Sequence, residues 1–363
     1  MTKRDYHVDL FRIIATIFVT MLHVLGQGGI LNNAVPDGIN YWVAWLLEVF
    51  AYCAVNCFAL ISGYVMINKT VKIKNVLKLW FQVLFYSLFF AFLFFLFVPE
   101  TRTAKNLVVA FFPVFGKQWW YISSYFGLLL FIPILNTSVH NLSQKMFRNF
   151  LIIVLIGIGV FDCIMPIDAL VLNNGYSPIW LIILYLFGAY IKKYDLKIKI
   201  TAWKSLLFFV VMVVLTFLSK LVIRYATRSV LGDVKLDDTF ISYISITLVL
   251  ASVFLFLFCL NVKIGPFFQK AVHLFAPATL GVYLIHVHPF VFDYIIKDAF
   301  DMVAHKHAVI VVLCVLTATL SIFLLCSAID LIRIQLFKLI RINSFCEIID
   351  DKISRLYIKV FRE

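Results

Sequence analysis

Ten apolar stretches separated by short polar segments run along the 363 residues of the chain. They extend from Val8 to Leu25, Tyr41 to Ile67, Leu77 to Val98, Trp119 to Leu135, Phe147 to Met165, Ile179 to Ile191, Leu206 to Ile223, Ile241 to Leu260, Leu274 to Ile296 and Ala308 to Ile332. A hydrocarbon core of ~30 Å takes about 20 apolar residues per helical crossing. The pattern therefore predicts an all-α polytopic membrane protein, with about ten transmembrane helices in one bundle. The longest outer connections, Pro99 to Gln118 and Arg224 to Phe240, leave no room for a soluble domain. Residues 342–363 form a tail in which Ile349, Ile353, Leu356 and Val360 recur at helical spacing, with Lys352, Arg355, Lys359 and Arg362 between them. That spacing fits an amphipathic helix on the inner membrane surface or a frayed terminus.

Within the first stretch the polar residues are not scattered. At 100° per residue, Asp9, Arg12, Thr16, Thr20, His23 and Gln27 fall within an arc of about 80°, while the positions between them are apolar. An ionisable group at membrane depth costs roughly 3 kcal/mol on insertion scales, so such a stripe faces a cavity or a partner rather than lipid. Depth can be read from the ~1.5 Å rise per residue. His23 lies about 21 Å above Asp9, Glu48 about 10 Å below the outer surface, and His286 about 18 Å above Leu274. These three groups share one level. Glu48 beside His23 would hold the imidazole tautomer that a general base requires; alternatively it makes a packing ion pair. His286 and His288 flank a kink at Pro289, where they either bond freed carbonyls or meet substrate.

Composition and charge narrow the class. With 63% hydrophobic residues, 14% charged residues and a mean hydropathy of +0.99, the chain is no soluble globular domain, whose apolar share is nearer ~50%. Of 32 Lys and Arg, 23 fall in inner segments if the N-terminus is cytoplasmic. This puts both termini inside a multi-pass cell-membrane protein. The net charge of +13 then reflects that bias and attraction to anionic lipid, not a nucleic-acid partner. Lys3 and Arg4 precede an apolar run as in a signal peptide, but no A-x-A-like cleavage site follows, so the run is read as a retained helix. The seven cysteines contain no C-x-x-C pair, and no metal site is indicated.

Arg12 lies about 16 Å below His23 on the same helix face. A cation at the mouth and a base deep inside suit a substrate with an anionic head and a long thin arm, the shape of a coenzyme A thioester. Lys69, Lys72, Lys74 and Lys78 follow the second span and offer phosphate contacts, or serve only the positive-inside rule. Ser62 and Gly63 read as close-packing residues that also let an acyl donor approach the backbone. Trp119, Trp120 and Tyr121 fit an aromatic belt or a sugar-stacking surface.

Together these residues resemble the membrane acyltransferase-3 family. The pattern Arg-x10-His in the first helix is met by Arg12 and His23. Phe58-Ala-Leu-Ile-Ser-Gly-Tyr64, Trp119-Trp-Tyr-Ile122 leading to Pro133, and Thr279-Leu-Gly-Val-Tyr-Leu-Ile-His286 extend the resemblance over nearly the whole chain. It implies a ten-helix acyltransferase core in residues 1–341 that uses cytoplasmic acyl-CoA as donor substrate, with no permanently bound cofactor. The acceptor implied is a hydroxyl of a cell-surface or secreted glycan, or of a lipid-linked glycan. The resemblance makes His23 the central catalytic residue with Arg12 supporting it; from the residues themselves Glu48 is read as the orienting partner of His23, and Arg12, His286, Lys74, Lys78 and Ser62 as substrate contacts. The family's R-x-x-R arrangement near the third helix is replaced here by lysines such as Lys74 and Lys78, which lack the bidentate fork of arginine. Two other classes compete with an O-acetyltransferase: a polysaccharide exporter or secondary transporter lined by the same stripe, and a polyprenol-phosphate glycosyltransferase. The second would want acidic residues in the first outer loop, which holds only Asp37.

Overall fold

Asp5 opens the first helix by accepting from the backbone N–H groups of His7 and Val8, an acidic cap suited to a helix N-terminus. The computed structural model describes residues 5–165, 167–234 and 236–361, with side chains for these except 354 and 356–361. No strand occurs among the described residues. The helices are α1 (Tyr6–Leu25), α2 (Ile30–Asn33), α3 (Ile39–Ala51), α4 (Ala54–Met66), α5 (Ile73–Phe97), α6 (Ala104–Phe111), α7 (Trp120–Asn141) and α8 (Gln144–Ile156). They continue as α9 (Pro178–Lys193), α10 (Ala202–Leu231), α11 (Ile246–Asn261), α12 (Pro266–Phe275), α13 (Thr279–His286), α14 (Pro289–Val291), α15 (Ala308–Leu339) and α16 (Ile342–Phe361).

Among the described residues seven helical segments are long and apolar enough to cross a membrane, and an eighth arises when the bent pair Pro266–His286 and Pro289–Ile296 is taken as one span. This is a multi-pass membrane protein. The count of ten is therefore approximate. The other two expected spans, α9 and α11, have 16 residues each. At ~1.5 Å per residue they are shorter than the ~30 Å core, and much of each is buried among its neighbours. The second expected span is also not one helix, since it breaks at Tyr52 and Cys53 between α3 and α4. The ninth bends by 65° after His286, where Pro289 supplies no N–H to continue the ladder.

Helix α1 runs through the interior, touching α3, α4, α11, α12, α13 and α15. The tightest approach in the bundle joins α4 to α9. A Cβ on Gly63 would overlap the Tyr185 carbonyl, and one on Gly188 would overlap the Leu60 carbonyl, so only glycine lets these backbones meet. The tail is helical as α16 and lies along the first turns of α5, where Lys74 Nζ pairs with Glu347 at 3.3 Å and Lys74 N donates to Asp350 at 3.2 Å. The side chains of Leu356, Lys359 and Val360, and residue Arg362, lie outside the described residues.

Candidate active site

A cavity of about 800 Å³ runs between α1, α3, α4, α7 and α13. One end, near the start of α1, is lined by Arg12, Lys69 and Lys72; toward the other end stand His23, Gln27, Glu48, Tyr176 and Tyr243, with Ser62 and Tyr125 on the wall between. Arg12 Nη1 bonds Asp9 at 3.1 Å, which fixes the guanidinium at the mouth, and its side chain stays 38% exposed. The hydroxyls of Thr16 and Thr20 bond back to the carbonyls of Arg12 and Thr16. The two threonines thus satisfy themselves along α1, and the stripe offers Arg12, His23 and Gln27 to the cavity.

His23 meets His286 across the helix gap, with Nδ1 of His23 3.0 Å from Nε2 of His286. His286 in turn holds its own helix, its Nδ1 lying 2.5 Å from the Val282 carbonyl oxygen. A carbonyl oxygen only accepts, so His286 carries its proton on Nδ1. In a neutral ring its Nε2 then accepts, and His23 donates from Nδ1. The remaining nitrogen, His23 Nε2, keeps its lone pair and makes no hydrogen bond among the described residues. Phe292, just past the bend, packs edge-on against His23 with ring centroids 5.3 Å apart. The 65° bend therefore brings both His286 and Phe292 onto one imidazole.

Glu48 does not join this pair. It lines the same cavity but makes no hydrogen bond to His23, whose Nδ1 is taken by His286. Equal depth on two helices fixes height and not direction, which is why the expected contact fails. Ser62 lies on the cavity wall with its hydroxyl donated to Phe58 O at 3.0 Å and 3.5 Å from Tyr125 OH. Lys74 is held by the tail helix, and Lys78 lines a separate cleft of about 410 Å³ with Gln82 and Arg333, so neither borders the main cavity. Lys69 and Lys72 do. His288 is engaged at both nitrogens, by Phe290 N at 3.2 Å and the Gln118 amide at 2.7 Å, and serves as the cap of α14.

The acyltransferase-3 model, described as an acyltransferase domain, matches residues 5–326. The chain belongs to this family. Searches of curated proteins and of solved structures return no match.

In this acyltransferase the sequence reading missed two buried charge clusters that hold the site's walls. On α15, Asp330 pairs with Arg333 at 2.9 Å and accepts from Tyr86 OH at 2.7 Å. Gly281 of α13 faces this carboxylate so closely that any Cβ would overlap it, which seats the helix carrying His286. At the far end of α10, Lys220 and Arg224 share Asp237 at 2.8 and 3.0 Å, and Arg224 also bonds Asp37 at 2.6 Å. The Arg224 hydrogen bond holds the Asp37 carboxyl below its usual range. Both clusters had a signal: opposite charges three residues apart in the last span, and two cations four residues apart at the end of the seventh.

Proposed function

We propose that this membrane acyltransferase moves an acyl group, acetyl, from cytoplasmic acyl-CoA to a hydroxyl of a cell-surface or secreted glycan or lipid-linked glycan. The observation that carries the reading is the position of His23, with a free Nε2 part-way along a cavity that has cations at one end and an aromatic, polar lining at the other. Arg12, Lys69 and Lys72 meet the donor's phosphates, and arginine's planar fork suits their oxygens. The donor's thin arm lies along the wall formed by Phe58, Ile61 and Val65. The thioester carbonyl stands at His23.

His23 Nε2 takes the proton of the acceptor hydroxyl as that oxygen attacks the thioester carbonyl carbon. The carbon–sulfur bond breaks, and the imidazolium returns the proton to the leaving thiolate, giving an ester and free coenzyme A thiol. His286 accepts from His23 Nδ1 throughout and so keeps the reactive nitrogen turned to the cavity. The reading is tested by mass analysis of envelope glycans with and without the gene's product. Base-labile acetyl groups present only with the protein support it; unchanged glycan esters with a defect in glycan export point to a transporter instead.

A further inference from the structure

The outer part of the cavity holds polar atoms that acyl transfer at His23 leaves unused. Glu48 is 8% exposed, faces the cavity, and its Oε2 makes no hydrogen bond among the described residues. The Tyr121 hydroxyl, on another wall of the cavity, likewise makes no hydrogen bond among the described residues. Buried polar groups are nearly always satisfied, so two unpaired ones on one cavity are explained if a ligand completes them.

Aromatic rings stand beside these atoms in a continuous series. Ring centroids of Tyr243 and Tyr176 are 5.1 Å apart, and those of Tyr176 and Trp120 are 4.4 Å apart. Tyr176 is 39% exposed and so forms the lip of the series. The backbone beneath is fixed: Asn56 accepts from Trp180 Nε1 at 3.1 Å and donates to Tyr243 O at 2.9 Å. An acyl chain needs no carboxylate, and a bare cation needs no aromatic platform. A sugar ring uses both, laying its C–H face on the rings and its hydroxyls on the acceptor atoms.

We propose that Trp120, Tyr176, Tyr243, Tyr121 and Glu48 form a pyranose-binding subsite that presents one sugar hydroxyl to His23. The assignment rests on the acyltransferase reading above and fixes its acceptor as a carbohydrate ring. Glu48 is then an acceptor-binding residue and not the partner of His23.

The test complements a deletion strain with wild-type protein, Tyr176→Ala, Glu48→Leu, Glu48→Gln or His23→Ala. Acyl esters are measured by mass spectrometry in the envelope glycan and lipid fractions, and radiolabelled acetyl-CoA binding is measured on each purified protein. Tyr176 lies at the surface and Glu48→Leu removes an unpaired buried polar group, so both variants insert and fold. The expected result is a fall in glycan esters of about tenfold or more for Tyr176→Ala and Glu48→Leu, with Glu48→Gln intermediate, since the amide keeps one acceptor oxygen. Acetyl-CoA binding stays within about twofold of wild type for all three. Wild-type ester levels in Tyr176→Ala and Glu48→Leu overturn the subsite, as does loss of acetyl-CoA binding in step with the esters. Esters carried only by lipids that bear no sugar overturn the sugar ring while leaving acyl transfer intact. Equal esters in the wild-type and deletion strains remove the acyltransferase reading itself.

Discussion

Replacing His286 with leucine isolates what the second imidazole does for the first. The substitution removes the acceptor of the His23 Nδ1–H, a 3.0 Å contact, and leaves that donor buried against an apolar side chain. A buried donor left unsatisfied costs about 1–3 kcal/mol, which at ~1.4 kcal/mol per decade is a loss of about 5- to 150-fold in turnover. Removing the base itself, by His23→Ala, costs about 10²- to 10⁴-fold. The order is therefore wild type, then His286→Gln, whose amide oxygen can accept the same proton, then His286→Leu, then His23→Ala. Turnover is followed on purified protein as thiol released from acetyl-CoA and ester gained by envelope glycan. The KM for acetyl-CoA is unchanged in His286→Leu, because His286 lies away from the Arg12 end of the cavity. A loss in His286→Leu equal to or larger than that in His23→Ala would move the base to α13. An unchanged rate would strip His286 of its orienting role.

Three further outcomes follow from the same geometry. Arg12→Ala raises the KM for acetyl-CoA by about tenfold and Arg12→Lys restores part of it, read from initial rates; equal donor dependence in all three proteins assigns Arg12 only to its Asp9 pair. Single-cysteine accessibility labels Asp37 and Asp168 positions from outside the cell and Lys72 and Lys197 positions from inside, and external labelling at Lys197 would invert the topology. Asp330→Ala strands Arg333 in the bundle and lowers stability by about 3–5 kcal/mol, seen as a fall in thermal midpoint in detergent; a midpoint equal to wild type would show that the pair does not brace α13.

Much of this arrangement was legible before any coordinates. The stripe on α1 shows because helical periodicity gathers Arg12 and His23 on one face while lipid makes such residues costly elsewhere. Depth arithmetic brought His286 to the level of His23, and Pro289 announced the bend. The same arithmetic failed for Glu48, since it fixes height along the membrane normal and says nothing of rotation about each helix. Lys74 and Lys78 could not be separated from Lys69 and Lys72, because a positive loop has no period that shows which lysine turns toward the cavity. Tyr176 and Tyr243 were out of reach altogether: they lie far apart in sequence, Tyr243 in the irregular start of an expected span, and only the packing of α7, α9 and α11 brings them together.

The central claim is that His23 performs acyl transfer inside this cavity. It is tested most directly by reconstituting wild-type and His23→Ala protein in liposomes, supplying radiolabelled acetyl-CoA on one side and envelope glycan on the other, and measuring label in base-labile glycan ester. Wild type transfers label, and His23→Ala, with normal insertion, does so at a rate at least ~10²-fold lower. Label transfer by His23→Ala at the wild-type rate would contradict the claim.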